Sequence, residues 1–205
     1  MELEMKGLRK SDYKKVIQFA IEGMHFNWYM KNKAILNMYG RYFLYLEMLK
    51  ATHIIAAYYG DELAGVLMCE MKGRKPKYRS FGKWCYVKFI NFIQNTFVKD
   101  GVGPYEEANK ELLDKYKKMN EPDGELVFLA ANPDIHVKGI GTFLLNELER
   151  RENGKKIYLY TDTGCTYQFY EHRGFERVGE KPISLQIGKT KVDITCLLYS
   201  KVLGE

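Results

Sequence analysis

The chain has 205 residues, 46% of them hydrophobic, 28% charged and 14% aromatic, with a formal net charge of +6. That is enough chain for one full core, and with 18 Gly and 5 Pro it is neither collagen-like nor low-complexity. No apolar run approaches the roughly 20 residues of a membrane helix, and residues 1–10 are charged where a signal peptide is apolar, so a cytoplasmic protein with no membrane partner is expected.

Residues 4–10 read as a short strand. Ser11 and Asp12 then offer helix caps, and Tyr13, Val16, Ile17, Ala20 and Ile21 recur at helical spacing. An aromatic stretch, His25, Phe26, Trp28 and Tyr29, separates this helix from a second one over 34–50. The period then changes: 52–59 and 63–71 are β-branched or apolar around a Gly60-Asp61 turn, a β-hairpin. A basic loop at 72–79 leads to an apolar helix, in which Phe81, Trp84, Phe89 and Phe92 repeat at a spacing expected to pack onto the domain. A more polar helix follows over 104–119. Residues 126–131 form a short buried strand, 139–151 a helix and 156–161 a strand. Residues 165–172 read as helical, and 175–179, 183–187 and 192–200 as three β segments. There is no internal repeat. The simplest account is a single α/β (α+β) domain, 1–205, with a helical insertion at 72–122 between the hairpin and the 126–131 strand.

The positive charge is local. Residues 72–119 carry twelve Lys or Arg against five Asp or Glu, which argues against a general nucleic-acid binder. Cys69, Cys85, Cys165 and Cys196 are widely spaced with no C-x-x-C pair, so neither a zinc site nor a disulfide framework is expected.

Two stretches carry chemistry. In the first, a buried strand runs into Lys138-Gly139-Ile140-Gly141-Thr142 at the opening of a helix. Free N–H groups and the dipole at a helix start favour an anion, and glycines let it come close. The spacing fits neither the ATP-binding G-x-x-x-x-G-K-[ST] loop nor the dinucleotide G-x-G-x-x-G. In the second, Tyr170-Glu171-His172-Arg173-Gly174-Phe175 places Gly174 to end a helix in the left-handed region, with Phe175 packing back on it.

In this order, about 30 residues apart, the two stretches resemble the GNAT superfamily of acetyl-CoA-dependent N-acetyltransferases. His136-Val137-Lys138-Gly139-Ile140-Gly141 matches the first family motif, and Tyr170 with Gly174-Phe175 the end of the second. The resemblance implies a mixed, mostly antiparallel sheet, splayed in the middle and flanked by helices. It implies acetyl-CoA as acyl donor, with no metal and no covalent enzyme intermediate. Leu129, Ala130 and Ala131 would bond the pantetheine arm. Val137, Lys138, Gly139, Ile140, Gly141 and Thr142 would hold the pyrophosphate through backbone N–H groups, with His136 beside them. Tyr170 would be the general acid that protonates the leaving thiolate. The chain departs from the family at three positions: His136 replaces Gln or Arg, Val127 stands where some members carry a glutamate base, and Thr163 where many carry Asn.

The implied function is acetyl transfer to a primary amine of a small-molecule or peptide acceptor. Glu70, Asp134 and His25 are candidate bases, each also readable as an ordinary surface or structural residue. Cys165 reads as structural. Trp28 and Tyr29 are candidates for the acceptor side. An apolar helix in the insertion is compatible with a homodimer. Two other readings stay open: an acyl-CoA-binding sensor without catalysis, and a module that docks an acidic partner on the basic segment.

Overall fold

The computed structural model describes residues 2–29, 32–97, 103–187 and 190–204, together with their side chains except at Phe26, Tyr29, 94–97, Ile187 and Thr190. The chain opens with β1 (Leu3–Lys6), shorter than its sequence suggested, and a 3-10 turn at Lys10–Asp12. Then come α1 (Tyr13–Gly23), α2 (Phe26–Tyr29) and α3 (Lys33–Lys50). Neither Ser11 nor Asp12 caps α1. Asp12 instead accepts the Tyr58 hydroxyl at 2.8 Å. The cap that does form belongs to α3, where Asn32 Oδ1 accepts the N–H groups of Ala34 and Ile35 at 2.9 and 3.3 Å.

The hairpin is β2 (His53–Tyr59) and β3 (Glu62–Met71), joined through Gly60 at φ 63°. Two helices follow, α4 (Phe81–Phe97) and α5 (Pro104–Lys117). Pro104 opens α5, Glu106 and Glu107 sit in its first turn, and Lys115 and Lys117 in its last, all favourable to the helix dipole. The remaining elements are β4 (Gly124–Ala131), α6 (Ile140–Arg151), β5 (Lys156–Asp162), the single turn α7 (Gln168–Glu171), β6 (Glu176–Ile187) and β7 (Thr190–Val202). Two expected β segments are thus one strand, β6. Pro182 does not break it, because β6 is an edge strand with an N–H to spare.

Among the described residues, the seven strands form one sheet in the order β1-β2-β3-β4-β5-β7-β6. Every pairing is antiparallel except β4 with β5. Side chains alternate across the sheet. One face, with Leu67, Leu126, Ile157, Leu159 and Tyr199, packs on Leu144, Leu145 and Leu148 of α6. The other face is covered in two parts. Helices α1 and α3 cover the half containing β2, β3 and β4, and α5 covers the half containing β5 and β7. Between them the sheet is at its weakest join.

Helix α4 departs from expectation. It rests on α3 through Val87 and Ile90, which are buried, while Asn91 accepts the Tyr42 hydroxyl at 2.6 Å. Its aromatic stripe does not pack onto the domain: Phe81, Trp84 and Phe89 are 79%, 49% and 60% exposed. Helical spacing marks a stripe as one face but does not say which way the face turns.

Candidate active site

The parallel pairing of β4 with β5 lasts for two residue pairs, Gly124 with Ile157 and Glu125 with Tyr158. Beyond them the strands part, and β4 from Leu126 onward pairs only with β3. The cause is local. Cys69 pairs with Leu126 and Met68 with Phe128, so Val127 is an extra residue with no partner opposite. Such a bulge bends and twists its strand. The sheet therefore opens as a fork, closed at Glu125 and Tyr158. Leu129 and Ala130 are half-buried and Ala131 is exposed along its open edge. They pair with Leu67, Val66 and Gly65 on one side, which leaves the other edge of the backbone free for an extended ligand.

At the mouth of the fork stands the start of α6. Gly139 caps it at φ 85°, ψ 10°, a left-handed conformation that costs other residues roughly 1–2 kcal/mol, and no side chain caps the helix. The first α6 bond runs from Phe143 N–H to Gly139 O at 2.8 Å, so Ile140, Gly141 and Thr142 direct their N–H groups outward. A Cβ at Gly139 would meet nothing within 4 Å; a Cβ at Gly141 would come within 3.0 Å of the Phe169 ring. The two glycines thus do different work, one turning the chain and one seating the α7 aromatic against α6. Ile140 is buried and contributes only its backbone to the rim, Val137 is half-buried, and His136 and Lys138 are exposed there. Outward N–H groups at a helix start favour an anion here.

Tyr170 is held from three sides. Phe169 and Phe175 meet its ring edge-on, with centroids 5.4 and 5.6 Å away, and Tyr199 lies tilted at 6.3 Å. Gly174 adopts φ 77°, as its place in the motif suggested, and the Phe175 N–H returns to Tyr170 O at 3.0 Å. The hydroxyl makes no hydrogen bond among the described residues. Burial raises its pKa, with Cys165 adding to the rise, so the group stays protonated at neutral pH.

The other candidates are more committed. His25 Nε2 lies 3.1 Å from Gly164 O, and its ring stacks on Trp28 at 4.2 Å, which seats the aromatic stretch on the loop before α7. Tyr29's side chain lies outside the described residues. Thr163 Oγ1 accepts the Thr195 N–H at 3.0 Å, a bond to β7. The Cys165 thiol points to Gly23 O at 3.5 Å, and burial pushes it up to about 11, so it is a poor nucleophile. Asp134 and Glu70 are exposed.

Sequence reading missed a group on the opposite face, between α3 and α5. Glu125 accepts the Tyr158 hydroxyl at 2.8 Å at the closed end of the fork. Glu47 of α3 is 8% exposed. Burial lifts its carboxyl to about 7, Glu125 and Glu70 add to the lift, and Lys50 opposes it. Tyr105 of α5 donates to Asp162 at 3.0 Å. A buried glutamate in a helix interior gives no signal in one sequence, because its burial comes from distant elements.

A mixed sheet forked at its one parallel join, with an anion rim beside the fork, is the fold of the GNAT acetyltransferases. Residues 102–175 match the acetyltransferase (GNAT) family model, and this segment holds the fork, the rim and Tyr170. No curated protein matches the chain by sequence. Among solved structures, the chain is similar to the histone acetyltransferase HPA2 and related acetyltransferase from Corynebacterium glutamicum, at 16% identity and a TM-score of 0.59, over 100% of this chain and 98% of that one. It is similar to yncA from Salmonella typhimurium, solved with acetyl-CoA, at 12% identity and a TM-score of 0.53, over 99% and 95%. It is also similar to the paia N-acetyltransferase of Thermoplasma acidophilum, solved with coenzyme A, at 15% identity and a TM-score of 0.51, over 98% and 99%. At these identities the likeness is one of fold.

Proposed function

We propose that the protein transfers an acetyl group from acetyl-CoA directly to a primary amine of a small-molecule or peptide acceptor. The observation that carries this reading is the fork itself: an open strand edge at 129–131, flanked by an anion rim and by a tyrosine hydroxyl with no hydrogen bond among the described residues. The family match over 102–175 supports it, as do similar folds solved with acetyl-CoA or coenzyme A.

In this reading, acetyl-CoA supplies the acetyl group as a thioester. The N–H groups of Val137, Lys138, Gly139, Ile140, Gly141 and Thr142 hold the pyrophosphate, and the exposed Lys138 and His136 lie where they can add side-chain contacts. Leu129, Ala130 and Ala131 bond the pantetheine arm through their free backbone edge. As the amine nitrogen bonds the carbonyl carbon and the C–S bond breaks, Tyr170 gives its hydroxyl proton to the departing sulfur. The amine releases its own proton to solvent, and Tyr170 takes one back from solvent before the next turnover.

The test is calorimetric titration with acetyl-CoA, with ATP and NAD as controls. Binding of acetyl-CoA alone, followed by turnover on an amine panel, is the expected result. Binding without turnover on any amine favours the sensor reading, and no binding of acetyl-CoA overturns both.

A further inference from the structure

Helix α4 is apolar on both sides. Val87 and Ile90 are buried toward α3, and the opposite side carries Phe81, Trp84 and Phe89, each about half exposed or more. Single exposed aromatics are ordinary, but a row of them along one helix face marks a contact surface. The chain around the row is uniformly basic. Between Lys72 and Phe97 there are seven Lys or Arg and no Asp or Glu.

Four of these cations are engaged elsewhere or weakly drawn to a neighbour. Arg74 pairs with Glu152 at 2.8 Å, Lys77 donates to Ile54 O at 3.3 Å, Lys83 sits over the Tyr13 and Tyr45 rings, and Lys72 acts on Asp123. Lys75 and Arg79 are exposed and make no side-chain bond among the described residues. Lys88 stands on the aromatic side of α4, 5.8 Å from the centre of the Trp84 ring. Where the basic loop meets α4, Leu49, Pro76, Tyr78, Arg79, Phe81 and Trp84 line an open cleft of about 240 Å³ whose walls are almost wholly apolar. A cation and an apolar slot thus share one place.

This chemistry selects among occupants. A second copy of the same face would set Lys75, Arg79 and Lys88 against their own kind. A stacked base needs an open ring face, yet Phe81 and Trp84 stack on each other at 5.9 Å and Lys88 covers Trp84 as well. A lipid interface takes aromatic rings and cations together, the rings at headgroup depth and the charges on phosphate. No helix among the described residues is long and apolar enough to cross a membrane, and the sequence suggested no membrane partner, but contact with a surface needs no span.

We propose that α4 and the loop before it dock on an anionic lipid surface, Phe81, Trp84 and Phe89 entering the headgroup layer while Lys75, Arg79 and Lys88 meet its phosphates. Such docking is independent of acetyl transfer at the fork.

The test is flotation of the full chain with vesicles of phosphatidylglycerol and phosphatidylcholine, against vesicles of phosphatidylcholine alone, in about 0.1 M salt. Binding to the anionic vesicles is expected to be roughly tenfold or more tighter. Trp84→Ser with Phe89→Ser, and separately Lys75→Glu with Arg79→Glu, are each expected to lose most of it at an unchanged melting temperature. On the native chain, anionic vesicles are expected to shift the tryptophan emission to the blue, and Trp84→Phe to abolish the shift; this reading holds even if a double variant fails to fold. Equal binding to the two kinds of vesicle overturns the proposal, as does an emission that does not move. Binding that survives loss of the two aromatics is charge attraction alone and overturns it too. Tighter binding to a single-stranded oligonucleotide than to vesicles, lost in the same variants, makes the partner a nucleic acid and overturns lipid docking.

Discussion

Tyr170 combines a ring held by three aromatic neighbours with a hydroxyl that has no hydrogen-bond partner among the described residues. Removing the oxygen alone leaves that packing intact, so Tyr170→Phe is expected to keep its melting temperature and acetyl-CoA affinity while kcat falls by roughly 100-fold or more. An unchanged kcat removes the tyrosine from the mechanism. Glu47 makes a different prediction. Its carboxyl rises to about 7 on folding from an ordinary 4.5, so the native state holds a proton that the unfolded state has lost. Stability therefore falls as pH rises between those values, by up to roughly 3 kcal/mol. Glu47→Gln is expected to flatten this loss, which melting curves from about pH 5 to about pH 8 would read. The two residues also differ in how they could be found. Tyr170 stands at a fixed distance from a glycine that ends a helix, a relation inside a few residues of chain. Glu47 acquires its meaning from β3 and β4, far along the chain, and one sequence holds no trace of that meeting.

Elements show the same divide. The starts of α5 and α6 were readable because Pro104 and Gly139 act on their own backbone. Gly139→Ala is expected to destabilise by roughly 1–2 kcal/mol through its left-handed φ, with weaker acetyl-CoA binding as the rim shifts. A melting temperature like that of the native chain would mean the turn relaxes without cost. The direction of the α4 stripe was not readable, because periodicity is blind to what lies across from a helix. Trp84→Ala should change stability by roughly 0.5 kcal/mol or less. Leu144→Ala, which empties a fully buried position on α6, should cost about 2–5 kcal/mol in denaturant unfolding. Strand β6 gave the opposite lesson. The run Gly179-Glu180-Lys181-Pro182 has the composition of a turn, yet pairing with β7 carries the strand straight through it, Pro182 opposite Thr195.

At the scale of the molecule, the order of elements was largely legible from the chain, whereas the central splay followed only from the resemblance carried by the two motifs, Lys138–Thr142 and Tyr170–Phe175. The segment 72–122, expected as a helical insertion, holds α4 and α5. One props α3; the other roofs β5 and β7 and supplies Tyr105.

The fork has a mechanical meaning as well as a chemical one. The two halves of the sheet are stitched to each other by two residue pairs, so the protein resembles a book with a very short spine. A pantetheine arm lying along the bare edge of β4 would act as a replacement strand, closing hydrogen bonds that the chain leaves open to water. The donor would then be a part of the scaffold for as long as it stays, and the empty protein the looser of two forms. At a concentration 100 times its dissociation constant, a ligand confined to the folded state adds about 2.7 kcal/mol. Hydrogen exchange should show where that stability is deposited: slowed amides on both banks of the fork, in 126–131 and 158–162, with α4 unchanged.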